Sequence, residues 1–186
     1  MCALDLFFSE NGIVMNGISI QSNESVGMHV RAERKLKEGQ VVARIPKNVV
    51  LSVKNTAIAD VLQEYEIAGL LGLTLAVMFE QAKGQASPWF EYLISLPEKV
   101  DIPLLWDANQ IHFLDGTELG ESVMQDQMAL REDYDSIILP ILKEPVFCPL
   151  EEFSFEKFQN ASSLVSSRAF DVDEYHQHSM VPLADM

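Results

Sequence analysis

Apolar positions in the first fifty residues recur in short alternating runs separated by turn residues, a pattern that predicts strands. Gly12 to Ile20 alternates around Asn16-Gly17, a pair that tolerates positive φ and so signals a hairpin. Gly27 to Ala32 is a second candidate strand. Lys37-Glu38-Gly39 marks a turn into Gln40 to Ile45, which Pro46 stops, and Val49 to Val53 is a further β-branched run. None of the runs is long, so the pattern predicts a set of small sheets rather than one large sheet.

The period then changes. Asn55 to Tyr65 and Glu66 to Lys83 read as helices, the second ended by Gly84. That second segment is apolar nearly all round and carries Ala68, Gly69, Gly72 and Ala76, as a buried helix in close contact with its neighbours would. Ser87-Pro88 opens a short amphipathic segment through Trp89, Tyr92, Leu93 and Leu96, stopped by Pro97. Pro103 to Trp106 reads as a loop or helical turn, and Gly116 to Leu142 as one or two helices. Ser154 is placed to cap a helix with a core face of Phe155, Phe158, Ser162 and Val165. The order is a strand block over 1–54, a helical block over 55–160 and a short segment over 161–186. Val181 to Met186 opens an apolar element without its continuation, which raises the expectation of a truncated chain.

With 48% hydrophobic and 22% charged residues the chain has the composition of a folded globular protein. A formal charge of −15 disfavours direct nucleic-acid binding and permits a basic partner, although it serves solubility equally well. Cys2 and Cys148 are the only cysteines, too few for a disulfide framework or a four-thiolate zinc site, and they fit a reducing compartment, nucleus or cytoplasm. Met1 to Phe8 contains no basic residue and does not read as a signal peptide. Ile67 to Phe79 falls short of the roughly 20 apolar residues a membrane helix needs. A soluble intracellular protein of undetermined oligomeric state is the expectation.

Candidate chemistry is sparse. Ser166 and Ser167 lie near Asp173, His176 and His178, but no Gly-x-Ser-x-Gly elbow surrounds either serine, so a hydrolytic triad is disfavoured. Asp173, Glu174, His176 and His178 read as a solvated loop sooner than as a metal site, and no metal is expected. The bend Ser22-Asn23-Glu24-Ser25-Val26-Gly27-Met28 would let backbone approach a ligand closely. Arg168 follows a predicted helix, where a cation is also favourable on structural grounds alone. Asp185 lies in an apolar segment, where a carboxylate must be paired or functional.

Taken in order, Glu24-Ser25-Val26-Gly27-Met28, Leu36-Lys37-Glu38-Gly39-Gln40-Val41-Val42, Ile45-Pro46, Ser87-Pro88-Trp89-Phe90-Glu91-Tyr92-Leu93, Val165-Ser166-Ser167-Arg168-Ala169-Phe170 and Val181-Pro182-Leu183-Ala184-Asp185-Met186 resemble the split SET-domain methyltransferases typified by the plant Rubisco large-subunit methyltransferase. Asp101-Ile102-Pro103-Leu104-Leu105-Trp106 and Gly116-Thr117-Glu118-Leu119 look like the branch of fungal ribosomal-protein lysine methyltransferases and their nuclear animal relatives.

The resemblance implies an α+β fold, with SET-type small β-sheets interrupted by a helical insertion and incomplete at the C-terminus. Residues 1–54 would be the N-terminal β part, 55–160 the insertion and 161–186 the start of the second SET segment. It also implies S-adenosylmethionine as methyl donor and the lysine of a basic, possibly ribosomal, protein as acceptor; histidine methylation is a variant within the class. By motif, Glu24, Ser25, Val26 and Arg168 would border the donor, and Ser167 and Asp185 the acceptor. Ser25 stands where the family usually carries Gly. The family continues past this point with an Asn-His pair, a catalytic tyrosine and a helical substrate-binding domain, so the chain alone is expected to be inactive. The alternative is a catalytically dead interaction scaffold.

Overall fold

In the computed structural model, which describes residues 3–23 and 27–186, the chain opens on a helix, where alternation had predicted only strands. Helix α1 (Ala3–Glu10) buries Leu4, Phe7 and Phe8, spaced as one helical face. Strands β1 (Val14–Met15), β2 (Ile18–Asn23), β3 (Gly27–Ala32), β4 (Ala43–Arg44) and β5 (Leu51–Ser52) follow.

The predicted hairpin around Asn16-Gly17 does not form. β1 pairs with β4, whereas β2 pairs with β3, so Asn16-Gly17 turns the chain between two different sheets. The turn itself is as read: Gly17 has φ 77°. Its partners decide the pairing. The Asn16 main-chain N–H donates to the Val42 carbonyl at 2.8 Å, its side-chain amide to the Val41 carbonyl at 3.3 Å, and Arg34 Nη2 donates to Asn16 Oδ1.

The middle of the chain is helical: α2 (Ala59–Glu64), α3 (Gly69–Ala82), α4 (Phe90–Leu93), α5 (Ala108–Ile111), α6 (Glu118–Asp133), α7 (Leu139–Ile141) and α8 (Phe155–Arg168). A π-helical turn over Tyr134–Ile138 joins α6 to α7. α3 begins later than the apolar run implies, because Glu66 at φ 55° and Gly69 at φ 63° break the chain before it. Ser154 caps α8 as predicted, accepting from the Lys157 N–H at 3.3 Å. The buried face of α8 is rotated from the one read: it comprises Phe158, Ala161, Ser163, Leu164 and Val165, while Ser162 is only half-buried. The chain closes on β6 (Phe170–Asp171) and β7 (His178–Met180), which join β5 in an antiparallel sheet of order β5-β7-β6. No described helix is long and apolar enough to cross a membrane.

Helix α3 is the axis of the core. Every residue from Gly72 to Glu80 is buried, and the helix packs against α8, α4, β5 and β7. Of the small residues, Gly72 and Ala76 are buried as the pattern implied, whereas Ala68 is exposed and Gly69 precedes the packed stretch with open space about it. A Cβ on Gly72 would lie 3.0 Å from the Ile67 carbonyl oxygen and 3.0 Å from Val53 Cγ1. Gly72→Ala should therefore destabilise the fold by about 1–3 kcal/mol through overpacking, despite the better helix propensity of alanine. A urea-unfolding midpoint equal to or above the parent's would refute this.

Candidate active site

The site is assembled by three segments that the core brings together. The first is the end of the β2–β3 ribbon at which Ser22 pairs with Met28 and Asn23 with Gly27. The second is the turn after α4, where Ser95 Oγ donates to the Tyr92 carbonyl at 2.6 Å. The third is the C-terminal end of α8 together with the turn after β7. Ser22, Gly27, Met28, Ser95, Leu96, Pro97, Arg168 and Met186 line a cavity of about 310 Å³ between them.

A buried polar cluster adjoins this cavity. The Tyr92 hydroxyl donates to Asp185 Oδ2, and Arg168 Nη1 donates to the Asp185 main-chain carbonyl. Tyr92 is fully buried and stacks on Phe7 at 6.4 Å between ring centroids, so α1 braces the cluster from behind. Leu183 takes φ 79°, a strained value for a branched side chain, in the turn that delivers Asp185.

Burial pushes the Asp185 carboxyl up to about 6, against the opposing pull of the Tyr92 hydroxyl and the Arg168 charge. Burial likewise holds the Tyr92 phenol well above its ordinary value, reinforced by the neighbouring carboxylate. Arg168 Nε and Asp185 Oδ1 are buried without a hydrogen-bond partner among the described residues. Arg168 lines the cavity and Asp185 lies directly behind it in contact with Arg168, and a buried donor and acceptor left over there are costly unless something completes them. The arrangement suits a ligand bearing both an anionic and an N–H group.

The structure thus brings two of the residues singled out in the sequence, Arg168 and Asp185, into direct contact. Ser167 is exposed one residue before Arg168 and makes no contact with the cluster that would assign it a role. Glu24, Ser25 and Val26 lie outside the described residues. Sequence reading missed Tyr92, treating it as one more apolar-face residue. The available signal was that a buried tyrosine needs a partner for its hydroxyl, and Asp185 was the carboxylate that lacked one.

The rejected alternatives can be placed as well. Ser166 Oγ donates to the Ser163 carbonyl within its own helix at 3.2 Å. Asp173 accepts from the Tyr175 and His176 main-chain N–H groups at 3.0 and 2.7 Å and pairs with Lys47 at 2.5 Å. These bonds, the His176 N–H foremost, hold its carboxyl well below the usual carboxylate range. Asp173 is a loop anchor tying the last segment to the 3-10 turn before β5. Among the described residues no cluster of His, Cys, Asp and Glu could hold a metal ion.

No family model matches the chain. N-lysine methyltransferase SETD6 of Mus musculus is 29% identical over 178 residues, covering 86% of this chain and 37% of the mouse protein. Ribosomal lysine N-methyltransferase 3 of Saccharomyces cerevisiae is 26% identical over 190 residues, covering 86% of this chain and 34% of the yeast protein. The SET domain of LSMT, solved bound to lysine and AdoHcy, superposes with a TM-score of 0.81 at 21% identity, covering 98% of this chain and 42% of that one. The fold is the SET type that the family resemblance implied, with helices inserted among small sheets. The chain spans a little over a third of the length of the curated relatives it matches.

Proposed function

We propose, because this chain is a relative of the SET-domain lysine methyltransferases of the LSMT type, that it forms the first part of an S-adenosylmethionine-dependent protein-lysine N-methyltransferase. The observation carrying this reading is the Arg168–Asp185–Tyr92 cluster, with its unspent donor and acceptor, beside the cavity at the end of the β2–β3 ribbon. The names of the relatives and of the structural neighbour support the same chemistry.

The cavity residues fit such a donor. Arg168 Nε is free to bind a carboxylate, Asp185 Oδ1 to accept from an N–H, and Gly27 has no heavy atom within 4 Å of where a Cβ would stand. When bound, S-adenosylmethionine would supply an electrophilic methyl group on a sulfonium. The chain's own part is alignment and polarity. Arg168 orients the ligand, Asp185 accepts an N–H near the reacting amine, and Tyr92 holds Asp185 in place. Leu96, Pro97 and Met186 wall off water. By motif, Glu24, Ser25 and Val26 join the donor side and Ser167 the acceptor side.

In this reading residues 1–54 are the N-terminal β part, 55–160 the insertion and 161–186 the start of the second SET segment. The acceptor is a lysine of a basic protein, with ribosomal proteins the first candidates to try, and the expected compartment is nucleus or cytoplasm. Since the matches extend over only 34–37% of the relatives, the 186 residues alone should show little or no activity.

Equilibrium dialysis with labelled S-adenosylmethionine tests the reading. The parent chain should bind, and Arg168→Ala should weaken binding about tenfold or more, the loss of one charged hydrogen bond. Undetectable binding by the parent would reject the reading in favour of an interaction scaffold. Robust methyl transfer to mixed ribosomal proteins by the chain alone would reject the expected inactivity.

A further inference from the structure

A second concave surface, lined by none of the cluster residues, lies in the helical block. α5, the 3-10 turn His112–Leu114 and the first half of α6 enclose a groove of about 770 Å³, more than twice the volume of the cavity at Arg168. Ile111, Leu114 and Met124 supply its apolar lining, and Asp115, Glu118 and Glu121 its charge. Met124, in the lining, is 51% exposed, and the same turn and helix also expose Phe113, Leu119 and Met128 at 83%, 57% and 72%. That is a concentration of large apolar side chains which ordinary surfaces avoid.

The groove is built on a firm floor. Asp107 and Gln110 close a reciprocal capping box at the start of α5. Gln127 donates from α6 to the Leu104 and Trp106 carbonyls at 3.1 and 3.0 Å. Gly120 allows α6 to approach the Leu114 carbonyl, which a Cβ there would meet at 3.1 Å.

Its charge is one-sided. Between Lys99 and Arg131 the chain carries Asp101, Asp107, Asp115, Glu118, Glu121 and Asp126 and neither lysine nor arginine. Asp115 meets only His112, at 3.2 Å, and Glu118 and Glu121 are exposed without an ion pair among the described residues. Arg131 is taken by Asp135 at 2.7 Å and by the Phe155 ring. We propose that this groove docks a basic, apolar-anchored segment of a partner protein. The apolar lining receives the anchor, and Glu118 and Glu121 meet its lysines or arginines. Charge complementarity selects the occupant: a nucleic acid or an anionic lipid surface would be repelled. The flexible methionine side chains adapt to more than one anchor. The inference does not depend on methyl transfer, because binding here is read without donor.

The test uses the whole chain and a dye-labelled peptide built of lysine, leucine and phenylalanine, followed by fluorescence anisotropy. Binding should weaken as salt rises. It should fall about tenfold or more in the double variant Glu118→Lys with Glu121→Lys, and again in Met124→Asp. The same charge change placed elsewhere, Glu64→Lys with Glu174→Lys, should leave affinity within about twofold. Thermal melting confirms that each variant is folded. Equal loss in the control pair, unchanged affinity in the groove variants, equal binding of a peptide with glutamate in place of lysine, or no binding by the parent would each overturn the proposal. Loss of donor binding in the Arg168→Ala chain should leave peptide affinity unchanged, which separates this inference from the methyltransferase reading.

Discussion

Glu80→Ala should remove about 3–5 kcal/mol of stability, the cost of emptying one side of a buried charged network, and leave little of the roughly 5–15 kcal/mol a domain this size holds. Glu80 is 1% exposed on the central helix α3, yet both of its oxygens are fully used. Oε1 accepts from Thr56 Oγ1 at 2.9 Å and the Ala57 N–H at 3.0 Å, and Oε2 from Lys83 Nζ at 3.0 Å and Ser87 Oγ at 2.8 Å. One carboxylate therefore ties the turn before α2 and the turn before α4 to the core helix. Alanine would leave those donors facing an apolar cavity. Glu80→Gln should cost less, since it keeps one acceptor but turns an NH₂ towards donors. Urea-unfolding midpoints would rank the three proteins, and an Ala variant within about 1 kcal/mol of the parent would show the network to be dispensable.

The same residue sets a pH dependence. Burial alone would raise the Glu80 carboxyl, but the hydrogen bonds from Ala57, Lys83, Ser87 and Thr56 outweigh it and hold it below its ordinary 4.5. The unfolded chain then binds the proton more tightly than the folded one. This contribution is present above about pH 4.5 and is lost as pH falls through the lowered folded value. Acid unfolding of the parent should be steeper than that of Glu80→Gln.

How much of this was legible depends on the distance over which each feature is encoded. Gly27 to Ala32 reads as a strand and forms one with those bounds, because alternation and flanking turn residues are local signals. The Ser154 cap is equally local. The Asn16-Gly17 turn is legible but its consequence is not: which strands pair depends on Val41 and Val42, some 25 residues away. α1 escaped because two turns of helix without a capping residue offer too few positions for a period to show. The role of Glu80 was not legible, since Thr56, Ala57 and Ser87, which donate to it, lie outside its helix. At the site, Asp185 stood out as a carboxylate in an apolar segment and Arg168 gained a candidate role through the family pattern, but their completion by Tyr92 was not legible, because Tyr92 and Asp185 stand 93 positions apart. Glu24, Ser25 and Val26 remain an expectation resting on the motif alone.

Asp185→Asn should do the reverse of Glu80→Ala: stabilise the fold at pH 8 while impairing the site. Burial moves the Asp185 carboxyl from 3.8 to about 6. At about 1.4 kcal/mol per pH unit, holding it ionised in the folded state costs on the order of 2–3 kcal/mol. The sign follows directly. Here the folded chain binds the proton more tightly, so the parent gains stability as pH falls from about 6 to about 4, and down to about pH 4.5 Glu80 still keeps its contribution in full. Asparagine carries no such charge, so the variant's advantage should be full above pH 6 and vanish below about pH 4. A protein gains nothing structurally from an ionised carboxylate kept half-satisfied behind a strained Leu183 turn; such an expense points to use. Tyr92→Phe sharpens the test. Removing the hydroxyl strips the one side-chain donor from Asp185 and should raise its pKa and destabilise the parent at pH 8, but should cost much less when Asp185 is already asparagine. Such non-additivity, with weaker S-adenosylmethionine binding or slower methyl transfer in the stabilised Asp185→Asn protein, would identify the charge at Asp185 as held for function. If Asp185→Asn were destabilised at pH 8 and bound the donor normally, the carboxylate would be an ordinary structural anchor, and the assignment of this cluster to the active site would fall.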